Sequence, residues 1–248
     1  MTFGNAQNET RQAIIDAITA HAVNRPRALQ QEVGPSGIGV TCERQLGYRL
    51  LNVGKTRLQG AAPWMPQIGT AVHTYLETIF ADNDRYMTET PVTIKHNDLV
   101  IPGTVDLYDK QTKTVIDFKL TGEAGISAAR NKRVSTQYQV QVQLYAKGLA
   151  QAGYAVDTVA ILFLPRNKEL GDSVMWQAAY DQQISTMYLD RYQLIKNVTA
   201  ANGQNALPLL STADAPCVWC DWYNPNAGTP AEGCTGNKKQ PTQSKETK

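Results

Sequence analysis

The chain has 248 residues, 24 Lys and Arg against 22 Asp and Glu, and 42% hydrophobic residues, for a formal net charge of +2. That length and apolar content can fill a proper core, and no apolar run approaches the roughly 20 residues that cross a bilayer. So slight an imbalance excludes a protein that holds nucleic acid by overall basicity, and any such contact has to be local. The opening MTFGNAQNETRQAIIDAI lacks a basic leader followed by an apolar block and a small-residue cleavage site, so a cytoplasmic protein with no membrane contact is expected.

In chain order, residues 8–22 read as a helix with Ile14, Ile15 and Ile18 on one side and Pro26 beyond its end. An irregular stretch with Gly and Pro gives way to a helical pattern from Cys42 to Leu51. TAVHTYLETIF predicts a second helix, with Val72, Leu76, Ile79 and Phe80 as its apolar stripe and His73 and Glu77 on its flank. The period then changes to two: TPVTIKH, LVIPGTVDLY and TVIDFKL predict a meander of three antiparallel strands, broken at ND and DKQTK. TGEAGISAARNKRVST reads as a basic loop. TVAILFLP and SVMWQAAY predict two more strands, and Asp181 to Asn202 a long helix with Asp181 as N-cap and Gly203 as its stop. One domain is expected over residues 1–235: a helical part (8–82), a sheet and helix (89–180), and a C-terminal helix with a cysteine-rich segment (181–235). Residues 236–248, polar and lysine-rich, are expected to be disordered.

The period of two in VIDFKL sets Asp117 and Lys119 on one face. If KQTK is a four-residue hairpin loop, Asp109 pairs with Thr114 and Asp106 falls opposite Asp117. Like charges directly opposed across a sheet are destabilising, so a shared proton, a lysine or a divalent cation has to offset them. Mg²⁺ or Mn²⁺ takes carboxylate oxygens and leaves positions for water and a phosphate, with Lys119 beside them as a fixed cation. Two acids and a lysine on a solvated hairpin face is the alternative. His73 and Glu77, four apart, also suit an ordinary helix-surface contact. QYQVQVQLY alternates as a strand would, but AKGLAQAG after it continues as helix, and on a helix Gln137, Gln141 and Tyr145 share a face. His21 and His96 carry no signal beyond surface placement.

Four cysteines are unevenly spread: Cys42 alone, then Cys217 and Cys220 in PCVWCDWY, and Cys234 after DWYNPNAGTPAEG. One C-x-x-C pair and two singletons suit a zinc ribbon poorly, which leaves free thiols or another metal site.

GTVD followed after a hairpin by DFK resembles the PD-(D/E)XK nuclease superfamily, in which two acids and a lysine cut phosphodiesters with a divalent metal. GTAVHTYLE is similar to the histidine-bearing helix of its RecB-like branch, and QVQLYA to that branch's Q-x-x-x-Y helix. The four cysteines, with CERQLGYR around the first, resemble the iron-sulfur members of that branch, AddB and the CRISPR-associated Cas-four-type exonucleases; the gap from Cys220 to Cys234 is longer than in that family. The resemblance covers about residues 40 to 235. It implies an α/β restriction-endonuclease-like core (αβββαβ, a mixed sheet flanked by helices) whose N- and C-terminal segments are joined by a [4Fe-4S] cluster on Cys42, Cys217, Cys220 and Cys234. His73, Asp106, Asp117 and the Phe118 carbonyl would bind Mg²⁺ or Mn²⁺, with Glu77 behind them. Lys119 would orient or activate water, and Gln141 and Tyr145 would position substrate.

The implied activity is that of a metal-dependent DNA exonuclease, acting on single-stranded or end-containing DNA in recombination, repair or spacer processing. A phage or prokaryotic enzyme in the (host) cytoplasm, with a recombination or repair protein as partner, would fit. Arg130, Lys132 and Arg133 are expected to contact DNA phosphates, unless that run is simply solvated; Trp64, Trp219, Trp222 and Tyr223 could stack on bases or fill core. A non-catalytic iron-sulfur DNA-binding accessory and a zinc-stabilised nuclease stand as the alternatives.

Overall fold

The structure is a computed structural model, and it describes residues 3–23, 33–56, 64–213 and 217–237. Its centre is one sheet of five strands, β1 (Tyr86–His96), β2 (Leu99–Asp109), β3 (Thr114–Thr121), β4 (Thr158–Pro165) and β5 (Val174–Ala179), lying side by side in that order. β1, β2 and β3 are joined by hairpins and are antiparallel, as the turn signals predict. β3 and β4 run parallel, and a parallel pair needs a crossover connection, usually helical. Two helices fill it, α5 (Glu123–Arg130) and α6 (Thr136–Gln151). β5 returns antiparallel on β4. The remaining helices are α1 (Phe3–Val23), α2 (Pro35–Ile38), α3 (Glu43–Leu50), α4 (Trp64–Phe80) and α7 (Gln182–Asn202). Among the described residues no helix is long and apolar enough to cross a membrane.

Each face of the sheet is covered by a different helix. Val142, Tyr145, Ala146 and Leu149 of α6 pack on Val105, Val115, Val159 and Ile161. On the other face Val72, Leu76 and Phe80 of α4 meet Leu107, Ile116, Phe118 and Ala160. A third cluster joins α3, α7 and the C-terminal segment through Leu46, Tyr48, Leu189, Ile195, Leu207, Leu210 and Trp222. Burial on both faces explains why VIDF and VAIL read as nearly continuous apolar runs rather than alternating ones.

The alternating QYQVQVQLY is a helix, capped by the Ser135 hydroxyl, which accepts from the Tyr138 N–H. Every residue from Val140 to Leu149 is buried, so no amphipathic period survives to be read. Its glutamines are tolerated there because they have partners: Gln143 donates to the Ala179 carbonyl and accepts from the Asp181 N–H, and Gln137 donates to the Ser36 carbonyl. A buried amide is costly only when unpaired.

Three expectations need correction. EAGISAAR is the helix α5, not a loop: Ile126 and Ala129, three apart, are buried beneath the charged residues that hide the pattern. On α4 the stripe consists of Val72, Leu76 and Phe80, while Ile79 is half exposed. The N-terminal helix begins earlier than residue 8, at Phe3, and Ile14 faces outward beside half-buried Ile15 and Ile18. Pro26 and residues 238–248 of the expected disordered tail lie outside the described residues.

Candidate metal centre and cleft

Counting along the hairpins builds the site. β2 and β3 pair Asp109 with Thr114, Tyr108 with Val115 and Leu107 with Ile116, and the ladder ends there. At the next position Asp106 replaces the backbone partner: its Oδ2 accepts the Phe118 N–H at 2.8 Å. The strands part at this point, and the Asp106 side chain spans the gap. From the two-residue turn Asn97–Asp98, β1 and β2 pair Thr88 with Leu107 and Thr90 with Val105, which sets Glu89 across from Asp106. Glu89 has φ 40°, a left-handed conformation that non-glycine residues adopt at a cost of about 1–3 kcal/mol, and it interrupts the ladder beside the site.

The Asp106 Oδ1 lies 3.5 Å from His73 Nδ1, which is also 3.9 Å from Glu89 Oε1. These are ion-pair contacts, too long for hydrogen bonds. The two carboxylates push the imidazole up to about 10, against the opposite pull of burial. His73, Glu89 and Asp106 offer ligand atoms that all lie within 4.8 Å of one another. Across the hairpin Asp117 is 1% exposed. Its Oδ1 accepts from Gln141 Nε2 at 2.9 Å. Lys119 Nζ stands 2.7 Å from Oδ2 in an ion pair, and among the described residues no donor reaches that buried oxygen in hydrogen-bond geometry. Burial pushes the Asp117 carboxyl up; Lys119 opposes that shift and Asp106 adds to it. A buried, under-satisfied carboxylate beside two more acids and an imidazole is a donor set that fits a hard divalent cation.

α6 supports this group from the rear. Gln141, 4% exposed, donates to both Asp117 and the Tyr145 hydroxyl and accepts from Lys119 at 3.2 Å. The Lys119 amine also lies 4.8 Å from the centre of the Tyr138 ring, a cation-on-ring contact that holds it in place. Of the residues singled out in the sequence, the structure thus brings together His73, Asp106, Asp117, Lys119, Gln141 and Tyr145. Glu77 is exposed and reaches only the cleft wall. Glu89 was missed, although counting pairs from the Asn97–Asp98 turn places it against Asp106 as directly as counting from KQTK places Asp117.

All of these residues line one cleft of about 1400 Å³, larger than the roughly 300–1,000 Å³ of an ordinary small-molecule pocket. Arg130, Lys132 and Arg133 are not among its lining residues; Arg130 is paired with Asp172 on the far side of α5. The cations lining the cleft are Lys119, Arg49 and Lys55.

The cysteine-rich segment forms part of the same wall through Trp222, which is 4% exposed, stacks on Tyr48 and donates to the Val53 carbonyl. Cys42 caps α3, its sulfur accepting the Gln45 N–H at 3.4 Å. Cys234 accepts from the Gly236 N–H and from Arg44, and a Cβ added at Gly236 would lie 3.4 Å from the Cys217 Cβ. Burial pushes the Cys220 thiol up to about 11, and Cys42 and Cys234 are near enough for their charges to add to it. None of the four cysteines is in a disulfide, and all are half-buried. Tetrahedral zinc sets its sulfurs about 3.8 Å apart, and among the described residues no three cysteine sulfurs lie within 4.8 Å of one another.

No family model and no curated protein matches the chain. Among solved structures it is similar to SSO0001 (13% identity, 75% of this chain and 86% of that one, TM-score 0.49). It is similar also to an alkaline exonuclease, LHK-Exo, from Laribacter hongkongensis (10% identity, 78% and 95%, TM-score 0.49). A phage-related exonuclease from Haemophilus somnus 129PT aligns over 62% of this chain and 78% of that one, at 13% identity and a TM-score of 0.41. What this chain does is read from its own side chains.

Proposed function

We propose that the chain is a divalent-metal-dependent deoxyribonuclease. The observation that carries this reading is the convergence of His73, Glu89 and Asp106 ligand atoms next to buried Asp117, whose Oδ2 is ion-paired with Lys119. His73, Glu89, Asp106 and Asp117, with the Phe118 carbonyl as a further oxygen, would hold Mg²⁺ or Mn²⁺. Bound there, such an ion supplies positive charge on a phosphoryl oxygen and a more acidic water.

The chain's own groups do the rest. Lys119 sets an ammonium beside the reacting phosphate, where developing negative charge is stabilised. Gln141 fixes the Asp117 carboxylate through Oδ1. Tyr145 holds the Gln141 amide in that orientation. The size of the cleft suits a polymer rather than a mononucleotide, and with the motif order of the RecB-like branch this favours exonucleolytic action on single-stranded or end-containing DNA, in recombination or repair. Cys42, Cys217, Cys220 and Cys234 would hold an iron-sulfur cluster, as the resemblance to the iron-sulfur members of that branch implies, and Cys42 and Cys234 accept N–H donors as ligated thiolates do. Its role would be to clamp α3 to the C-terminal segment.

The test is degradation of end-labelled single-stranded and duplex DNA with Mn²⁺, Mg²⁺ or EDTA, after anaerobic purification. Metal-dependent loss of label is expected, abolished in Lys119→Ala while DNA binding persists. No degradation with any divalent metal would overturn the reading.

A further inference from the structure

A polyanion entering this cleft meets mostly acids at its metal end, so its phosphates have to find cations elsewhere. The lining cations are not equivalent. Lys119 is held by Asp117 at 2.7 Å, and Lys55, two-thirds exposed, by Asp221 at 2.8 Å. Arg49, half-buried in the last turn of α3, lines the cleft, and its guanidinium has neither a hydrogen bond nor an ion pair to any described residue. Other described arginines are used inside the fold: Arg44 on the Pro208 and Leu210 carbonyls, Arg85 on Asp109, Arg130 on Asp172, and Arg191 on the Val40 and Thr41 carbonyls.

The seat of the guanidinium is built. A Cβ at Gly37 would lie 2.6 Å from Arg49 Nη1, and the φ of Gly37 is not one that demands glycine. Any larger residue there would press on the guanidinium, so the bare backbone of α2 lets it lie against Gly37 with its donors open to the cleft beside Pro35 and Ser36. A planar fork of N–H donors with no acceptor among the described residues, lining the cleft, matches the oxygens of a phosphodiester.

We infer that Arg49 is a second anchoring point for the substrate, binding a backbone phosphate of the DNA strand away from the metal centre. The inference rests on the nuclease reading for its ligand but not for its test, which needs no cleavage. Binding of a fluorescein-labelled single-stranded oligonucleotide to the full chain is followed by anisotropy in EDTA at several salt concentrations. Arg49→Ala is expected to weaken Kd about tenfold and to reduce the slope of log K against log salt by about 0.7, the share of one single-strand phosphate contact. Arg49→Lys restores the slope and only part of the affinity, because the charge returns without the fork. Gly37→Ala, with Arg49 intact, weakens binding in the same direction. An Arg49→Ala chain that melts like the parent and binds with unchanged Kd and slope overturns the inference. Binding that depends on Arg49 in a chain that cuts no DNA would sink the nuclease reading and leave this one standing.

Discussion

At the sheet end of the cleft, Glu89, Asp106 and Asp117 come from three adjacent strands, and their separation is fixed by ladder register within 29 residues of chain. At the cysteine end the contacts are long-range: Arg44 meets Cys234 across 190 residues, and Cys42 reaches the Ser211 carbonyl across 169. The first arrangement is local and backbone-borne. The second depends on loops whose closure costs entropy and has to be repaid by packing of Trp222, Leu207 and Leu210. Chemistry and fold stability should therefore separate cleanly under mutation.

The largest effect falls on the sheet end. Asp106→Ala removes both the ligand facing His73 and the acceptor of the Phe118 N–H, so cleavage should fall by at least about 10³-fold in a steady-state assay with Mn²⁺. At the other end, where the proposed cluster would give the anaerobic protein visible absorbance and about four iron atoms per chain, Cys220→Ser should abolish both. It should lower the melting temperature while the hairpin amides keep their hydrogen-exchange protection. Equal loss of protection in both regions would erase the contrast.

Asp109 tests the hairpin itself. Its carboxylate accepts from Arg85 and from the Gln111 and Thr112 N–H groups of the turn, so Asp109→Ala should cost about 2–3 kcal/mol in chemical denaturation. Arg85, then the turn donors, hold this carboxyl down at about 2 against an ordinary 3.8. A depressed carboxyl contributes stability above its unfolded value and loses it as pH falls through the folded one. The wild type should thus lose this contribution between about pH 4 and pH 2, and Asp109→Ala should show a flatter acid limb.

A smaller and opposite effect is expected at Glu89. Glu89→Gly relieves the left-handed backbone and should raise stability by about 1 kcal/mol, while weakening Mn²⁺ binding by calorimetry. Smallest of all, Asp190→Asn breaks the exposed contact with His96 and should change stability by no more than about 1 kcal/mol.

The hairpin acids were legible because a four-residue turn and a period of two leave one register, and the pairing of Asp109 with Thr114 follows from that alone. Glu89 was equally countable but sits in TETPV, where the proline obscures the strand and a left-handed residue interrupts it. α6 was legible only through its continuation, since full burial erases periodicity. That the basic run Arg130, Lys132 and Arg133 lies outside the cleft lining was not legible, because charge in a sequence carries no direction: α5 turns Arg130 to Asp172, and the cleft takes Arg49 from α3, five elements earlier in the chain. Nothing in one sequence announces that a guanidinium will lack a partner.

Anomalous diffraction from crystals soaked in Mn²⁺ tests the metal centre most directly. A single strong peak within coordination distance of His73, Glu89 and Asp106, with Asp117 Oδ2 turned to it, is expected. Mn²⁺ bound elsewhere, or no peak with those four side chains ordered, would contradict a cation shared across the hairpin.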